Sequence, residues 1–168
     1  MNSDGLSAAT FGELYKRYGP NVYRYVFYLS GNAAIAEDIT SETFLRIWSS
    51  ERPVHLASVK AYVLAIARNL YLHELRRRGR ITELDPETVP DSSFARDTES
   101  RAELRAVITE LQRWPEASRS ALLLRAVDGL PYEEIAPMLG ISVSAAKVKV
   151  HRARLRLAER LKRSPLPS

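Results

Sequence analysis

The 168-residue chain is 45% hydrophobic and 27% charged, contains no cysteine and carries a formal net charge of +5. Its length allows one ordinary domain or two small ones, the missing cysteines exclude disulfides and thiolate metal sites, and the basic balance suits a polyanionic partner if the charge is clustered. No apolar run approaches the roughly 20 residues a membrane-crossing helix needs, and "MNSDGLSAAT" lacks the basic start and apolar block of a secretory signal; no membrane insertion and a cytoplasmic location are the expectation.

Helical signals dominate, so an all-α protein is predicted. "TFGE" at 10–13 has the Thr-x-x-Glu form of a capping box, in which Thr10 and Glu13 satisfy amide donors at a helix start. Phe11, Leu14, Tyr15 and Tyr18 recur at helical spacing; "YGPN" then predicts a break, with Pro20 opening a second helix to about Leu29. A third helix covers roughly Ala33 to Ser49, with Ile35, Ile39, Phe44 and Ile47 near helical period, and "SSERPVH" reads as a loop. Ser58 is the expected N-cap of a fourth, with Val59, Val63, Ile66 and Leu70 as its buried stripe and Gly79 closing it after the Arg76, Arg77, Arg78 cluster.

Composition then shifts. "RITELDPETVPDSSFARDTES" is acidic, small and polar with two prolines, and predicts a flexible linker over 80–100 that separates a domain at 1–79 from another at 101–168. "SRAE" at 100–103 is a second capping box, ahead of a helix bearing Leu104, Ile108 and Leu111 that stops before Pro115. Three further helices are expected at about Glu116 to Val127, Tyr132 to Leu139 and Val143 to Leu161, punctuated by Gly129, Pro131 and Gly140. Pro137 inside "EEIAPML" removes a donor and should kink or shorten its helix.

A short helix, a turn at Gly140 and a longer helix capped by Ser142 match a helix-turn-helix, whose second helix can enter a major groove. The stretch "ISVSAAKVKVHRARLRLAERL" admits three readings: a solvated basic helix, a membrane-surface helix, or a groove-binding helix. Ala146, Val150, Ala153, Leu157 and Leu161 form one buried stripe at spacings of three and four. Ser144, Ala145, Val148 and Arg152 then lie opposite, flanked by Lys147, Lys149 and His151. A small tip with basic flanks suits base edges between gripped phosphates. A membrane-surface helix would instead carry bulky Trp, Phe or Leu on its apolar face. Only Glu159 opposes the eight cations from Lys147 to Arg163, which disfavours a merely solvated helix.

The ordered blocks "AEDITSETFLRIW" (36–48), "VKAYVLAIARNLYLHELRRRGR" (59–80), "LLLRAVDGLPYEEIAPMLGIS" (122–142) and "KVHRARLRL" (149–157) resemble the signature of an extracytoplasmic-function sigma factor. That resemblance implies a non-enzymatic subunit of RNA polymerase that recognises a minus-35 element and melts a minus-10 element. It implies that Asp38, Glu42, Phe44, Leu45 and Trp48 match the surface docking on the beta-prime clamp, with the beta flap a further contact. Asp38, Glu42 and Leu45 do share a helix face, whereas one of the aromatics Phe44 and Trp48 is expected in the core. Asn69 matches a position near the extruded base of the non-template strand, with His73, Arg76 and Arg77 as DNA contacts and "SERPVHLAS" as the pocket wall. Ser144, Lys147, Val148 and Arg152 match base- or phosphate-proximal places, with Lys149 and Arg154 on the backbone. Ala145, Ala146 and Val148 replace the family's more common Thr, Val and Ser. The acidic linker threads the polymerase or serves as a plain tether. An anti-sigma protein is an implied partner, and no metal or cofactor is expected. An ordinary helix-turn-helix repressor or activator is the competing class. An enzyme is disfavoured because Glu-x-x-His, GxxxxGK and Gly-x-Ser-x-Gly are absent and the three histidines are scattered.

Overall fold

The structure, a computed structural model, describes residues 8–50, 58–81 and 99–163. These form seven helices with no strand among them: α1 Ala8–Ser30, α2 Ala33–Ser49, α3 Val59–Ile81, α4 Glu99–Leu111, α5 Glu116–Ala126, α6 Tyr132–Leu139 and α7 Val143–Arg163. The described residues fall into two compact units, 8–27 with 32–50 and 58–81, and 28–31 with 99–163.

In the first unit α2 packs on α3. Asn32 caps α2 by accepting the Ile35 N–H at 3.0 Å, and Ser58 caps α3 by accepting the Ala61 N–H at 3.0 Å, which leaves fewer unpaired donors at both starts. Val22, Tyr25 and Val26 of α1, Phe44 and Ile47 of α2, and Val63, Leu64 and Ala67 of α3 are buried. Two buried hydroxyls on α2 satisfy themselves locally, Thr40 on the Ala36 carbonyl at 2.6 Å and Thr43 on the Ile39 carbonyl at 2.7 Å.

Several expectations are corrected here. The helix predicted to start at Thr10 already includes Ala8, and "YGPN" does not break it: α1 is continuous through Pro20. Pro20 is exposed, so solvent can replace the lost helical donor, while the buried residues on either side of the core-facing stripe hold the chain helical. Gly79 likewise does not end α3, which continues to Ile81. The buried stripe of α3 is rotated from the predicted one: Ala61, Leu64, Ala67, Arg68 and Tyr71 flank Val63 in the interior, Val59 is exposed, and Ile66 and Leu70 are half-buried. Ala61, Ala67 and Arg68 belong to that face, and counting only large apolar residues missed them. The predicted linker overlaps helix at 80–81 and 99–100; its centre at 82–98, and the loop at 51–57, lie outside the described residues. Ser100 falls inside α4 rather than before it.

In the second unit α5 carries six successive buried residues, Arg119 to Leu124, of which Ala121 to Leu124 are apolar. A helix apolar on so much of its circumference must be enclosed, and α5 packs against both α6 and α7. Pro137 is accommodated on the exposed side of α6, which keeps its full predicted span Tyr132–Leu139. Gly140 adopts φ 66°, ψ 34°, and its N–H and that of Ile141 close back on carbonyls of α6, the latter on Ala136 at 3.0 Å. The chain can then reverse into α7, where Ser142 accepts the Ala145 N–H at 3.1 Å.

A Cβ at Gly140 meets no atom within 4 Å, so Gly140→Ala carries only the left-handed backbone penalty. It should lower the stability of the second unit by about 1 to 2 kcal/mol, read from its denaturant midpoint, with no change of fold.

Candidate nucleic-acid interface

The rotation of α7 is set by Ala146 and Val150, both fully buried, and Ala153 at 4% exposure. With that stripe turned inward, Ser144, Ala145, Lys147, Val148, Arg152 and Arg154 are exposed and Lys149 is half-buried, as the pattern predicted. Farther along, the predicted stripe gives out: Leu157 is half-buried and Leu161 is 37% exposed. Viewed down the helix at about 100° per residue, Ser144, Val148 and Leu155 run along the centre of the outer face. Lys147, His151 and Arg154 lie on one side of that line, and Lys149, Arg152 and Arg156 on the other. Val148 is 46% and Leu155 57% exposed. An open groove on this unit is lined by Ser144, Ala145, Val148, Lys149 and Arg152 of α7, with Trp114 and Ser118 beside them.

The structure sorts the cations of α7 in a way the sequence did not. Arg160 donates from Nε to Glu110 of α4 at 3.0 Å, Arg163 pairs with Glu159 at 2.8 Å, and the Arg156 guanidinium lies 4.9 Å over the ring of Trp114. Burial raises the Glu110 carboxyl, but the Trp114 indole N–H and the Arg160 and Arg113 charges outweigh it, and the group titrates below its usual range. By contrast, Lys147, Lys149, Arg152 and Arg154 pair with no carboxylate among the described residues. Positive charge available to a ligand is therefore concentrated in the first three turns of α7. Lys147 rests with Nζ 5.9 Å from the centre of the Tyr132 ring, which Arg125 covers at 4.8 Å. Tyr132, a support for these cations, was missed in the sequence because a contact between helices leaves no periodic signal.

On α3 the residues Asn69, His73, Arg76 and Arg77 are all exposed on the side opposite the buried stripe. Here too a carboxylate redistributes charge. Glu74 accepts from Arg77 at 2.8 and 3.1 Å and from Arg78 at 2.9 Å. The Arg77 hydrogen bond, aided by Arg78 against some desolvation, holds the Glu74 carboxyl at about 2, below its ordinary 4.5. Arg76 turns its Nε to the Leu72 carbonyl at 3.3 Å.

A third face lies on α2. Asp38, Glu42 and Leu45 are exposed, with Leu45 at 59%, and Glu42 pairs with Arg46 at 3.2 Å. Trp48 is 49% exposed, its ring 4.9 Å from that of Phe11 in an edge contact. Phe44 does not join this surface. It is 2% exposed, enclosed by Tyr15 at 4.8 Å and Phe11 at 6.3 Å, and its helical position faces the core instead. Phe44 is thus the core member of the aromatic pair. No group of three or more His, Cys, Asp or Glu able to hold a metal occurs among the described residues, and no described helix is long and apolar enough to cross a membrane.

Two small helical units, one a helix-turn-helix with a cation-flanked outer face, define a helical protein of the nucleic-acid-binding class. Residues 14–81 match the sigma-70 region 2 family and residues 104–157 the sigma-70 region 4 family. The chain is 34% identical over 167 residues to the ECF RNA polymerase sigma factor SigE of Mycolicibacterium smegmatis, covering 94% of this chain and 64% of that protein. It is 32% identical over 149 residues to the ECF RNA polymerase sigma factor EcfG of Rhodopseudomonas palustris, covering 83% and 78%. Among solved structures, the sigma factor RpoE in complex with the anti-sigma factor NepR from Bartonella quintana superposes with a TM-score of 0.78 at 25% identity, over 90% of this chain and 96% of that one. The chain belongs to the extracytoplasmic-function family of RNA polymerase sigma factors.

The folded state depresses the Glu74 pKa, so its ion pairs stabilise α3 fully above about pH 4.5 and are lost as pH falls toward about 2. The protection of amides at the end of α3, measured as exchange relative to the intrinsic rate at each pH, should fall across that window. At neutral pH, Glu74→Gln removes the carboxylate charge that pairs with Arg77. It should tighten single-stranded DNA binding and steepen its salt dependence by about 0.7 per arginine that engages a phosphate.

Proposed function

We propose that this chain confers promoter specificity on core RNA polymerase, directing it to a minus-35 element through α7 and to a minus-10 element through α3. The observation that carries this reading is the charge sorting on α7. Carboxylates and an aromatic ring engage Arg156, Arg160 and Arg163 toward its C-terminal end, while Lys147, Lys149, Arg152 and Arg154 around and behind the small N-terminal tip have no acidic partner among the described residues. A helix entering a groove needs an unobstructed tip and phosphate-gripping flanks.

Ser144, Val148 and Arg152 face the base edges, and Lys147, Lys149 and Arg154 the phosphates. Asn69 bonds a base extruded from the non-template strand, whose unstacking costs a few kcal/mol, and His73, Arg76 and Arg77 hold that strand. Asp38, Glu42, Leu45 and Trp48 dock on the beta-prime clamp, and the second unit meets the beta flap. In this reading the unit of 8–27, 32–50 and 58–81 serves the minus-10 element and core polymerase, and the unit of 28–31 and 99–163 serves the minus-35 element. The chain acts without catalysis of its own, in the cytoplasm, and is held in check by an anti-sigma protein like the one bound to the Bartonella relative.

Two measurements test this. Replacing Lys147 and Arg152 together by alanine should weaken duplex binding and flatten the slope of log K against log salt by about one unit, for the lost phosphate contact of Lys147; an unchanged slope counts against groove docking. Trp48→Ala should weaken assembly with core polymerase about 30-fold, the effect of a central aromatic anchor, with the thermal unfolding of the second unit unaltered. A chain that fails to bind core polymerase at all belongs instead to the ordinary repressor or activator class.

A further inference from the structure

The groove-facing line of α7 has an unusual chemistry. With Lys147 exposed beside them, the exposed side chains without charge over its first two turns are Ser144, Ala145 and Val148. None carries an amide, carboxylate or guanidinium, so none can form the two-point hydrogen bonds that identify guanine, adenine or cytosine. Val148 is nevertheless 46% exposed on a helix whose interior needs are met by Ala146, Val150 and Ala153. Its apolar surface lines an open groove together with Ser144 and Ala145, and the cations Lys149, Arg152 and Arg156 of α7 line the same groove. Charge complementarity names the occupant: a ligand that presents phosphate to the flanks and an apolar group to the centre. In the major groove of DNA, the base-pair edges offer one such group, the C5-methyl of thymine.

From this arrangement we infer that Val148, with Ala145 beside it, reads a thymine methyl in the minus-35 element, making this chain's promoter preference at that position one of shape and methyl contact rather than hydrogen bonding. This rests on the proposed docking of α7 in the major groove. Ser144 bonds an adjacent edge or phosphate, and Arg152, one turn farther on, is the nearest guanidinium able to grip guanine O6 and N7. Specificity is thus divided along the helix, apolar at the tip and charged one turn behind it.

The experiment uses the full chain assembled with core polymerase and a duplex selected from a random library by that assembly. Each thymine of the selected minus-35 element is replaced in turn by deoxyuridine, which deletes the methyl and preserves every hydrogen-bonding group. One position should lose affinity by about fourfold, the factor for one buried methyl-sized group. In Val148→Ala the same replacement should have little effect, and 5-methylcytosine in place of cytosine at that position should recover part of the binding to wild type. Equal affinity for thymine and deoxyuridine at every position overturns the inference. So does a deoxyuridine effect that persists undiminished in Val148→Ala. If no duplex is selected or no assembly forms, the broader reading of function fails instead, and the loss of salt dependence in the Lys147, Arg152 variant separates that case from this one.

Discussion

The close approach of α7 to α5 and α6 through Ala146, Val150 and Ala153 is the contact on which the rest depends. Small side chains at these points let one helix lie near its neighbours, and dense packing leaves little freedom to roll. Once that stripe is buried, the direction of every other side chain on the first turns of α7 is set. The outward face follows from the inward one. The turn at Gly140 and the Ser142 cap serve the same end by fixing where the helix starts, so that its tip is formed by Ser144 and Ala145 rather than by a frayed terminus.

Electrostatics then divides labour among residues that composition treats alike. Glu110 on α4 takes Arg160, Trp114 takes Arg156, and Glu159 takes Arg163. These contacts tie Arg156, Arg160 and Arg163 in the C-terminal turns of α7 and leave the four cations nearest its start for a ligand. On α3, Glu74 does the reverse, bridging Arg77 and Arg78 within the very cluster that would hold a nucleic-acid strand. Exposed pairs of this kind contribute little to stability, and in the proposed role a phosphate reaching Arg77 would have to displace the Glu74 carboxylate.

Much of this was legible beforehand for identifiable reasons. Asn69 and His73 project outward because their periodic positions oppose a buried stripe, and the spans of α2 and α6 were readable from their flanking Asn, Gly and Pro residues. The errors share a physical origin. Pro20 and Gly79 are local helix breakers overridden by tertiary burial or by continuation of the surrounding helix, since propensity is a weak term beside packing. Phe44 and Trp48 carry similar residue chemistry four positions apart, yet Phe44 is enclosed by Tyr15 and Phe11 while Trp48 keeps half its surface outside.

The sequence by itself determined the helical class, the place of the turn at Gly140, the inward stripe at the start of α7 and the family to which the chain belongs, because each is a matter of local spacing or ordered motifs. Tertiary structure decided which cations remain available, which aromatic is core, and where Tyr132, Trp114 and Glu110 stand relative to α7. Those outcomes depend on contacts between helices far apart in the chain, such as Glu110 with Arg160. Distance along the sequence carries no information about such pairs until packing brings them together.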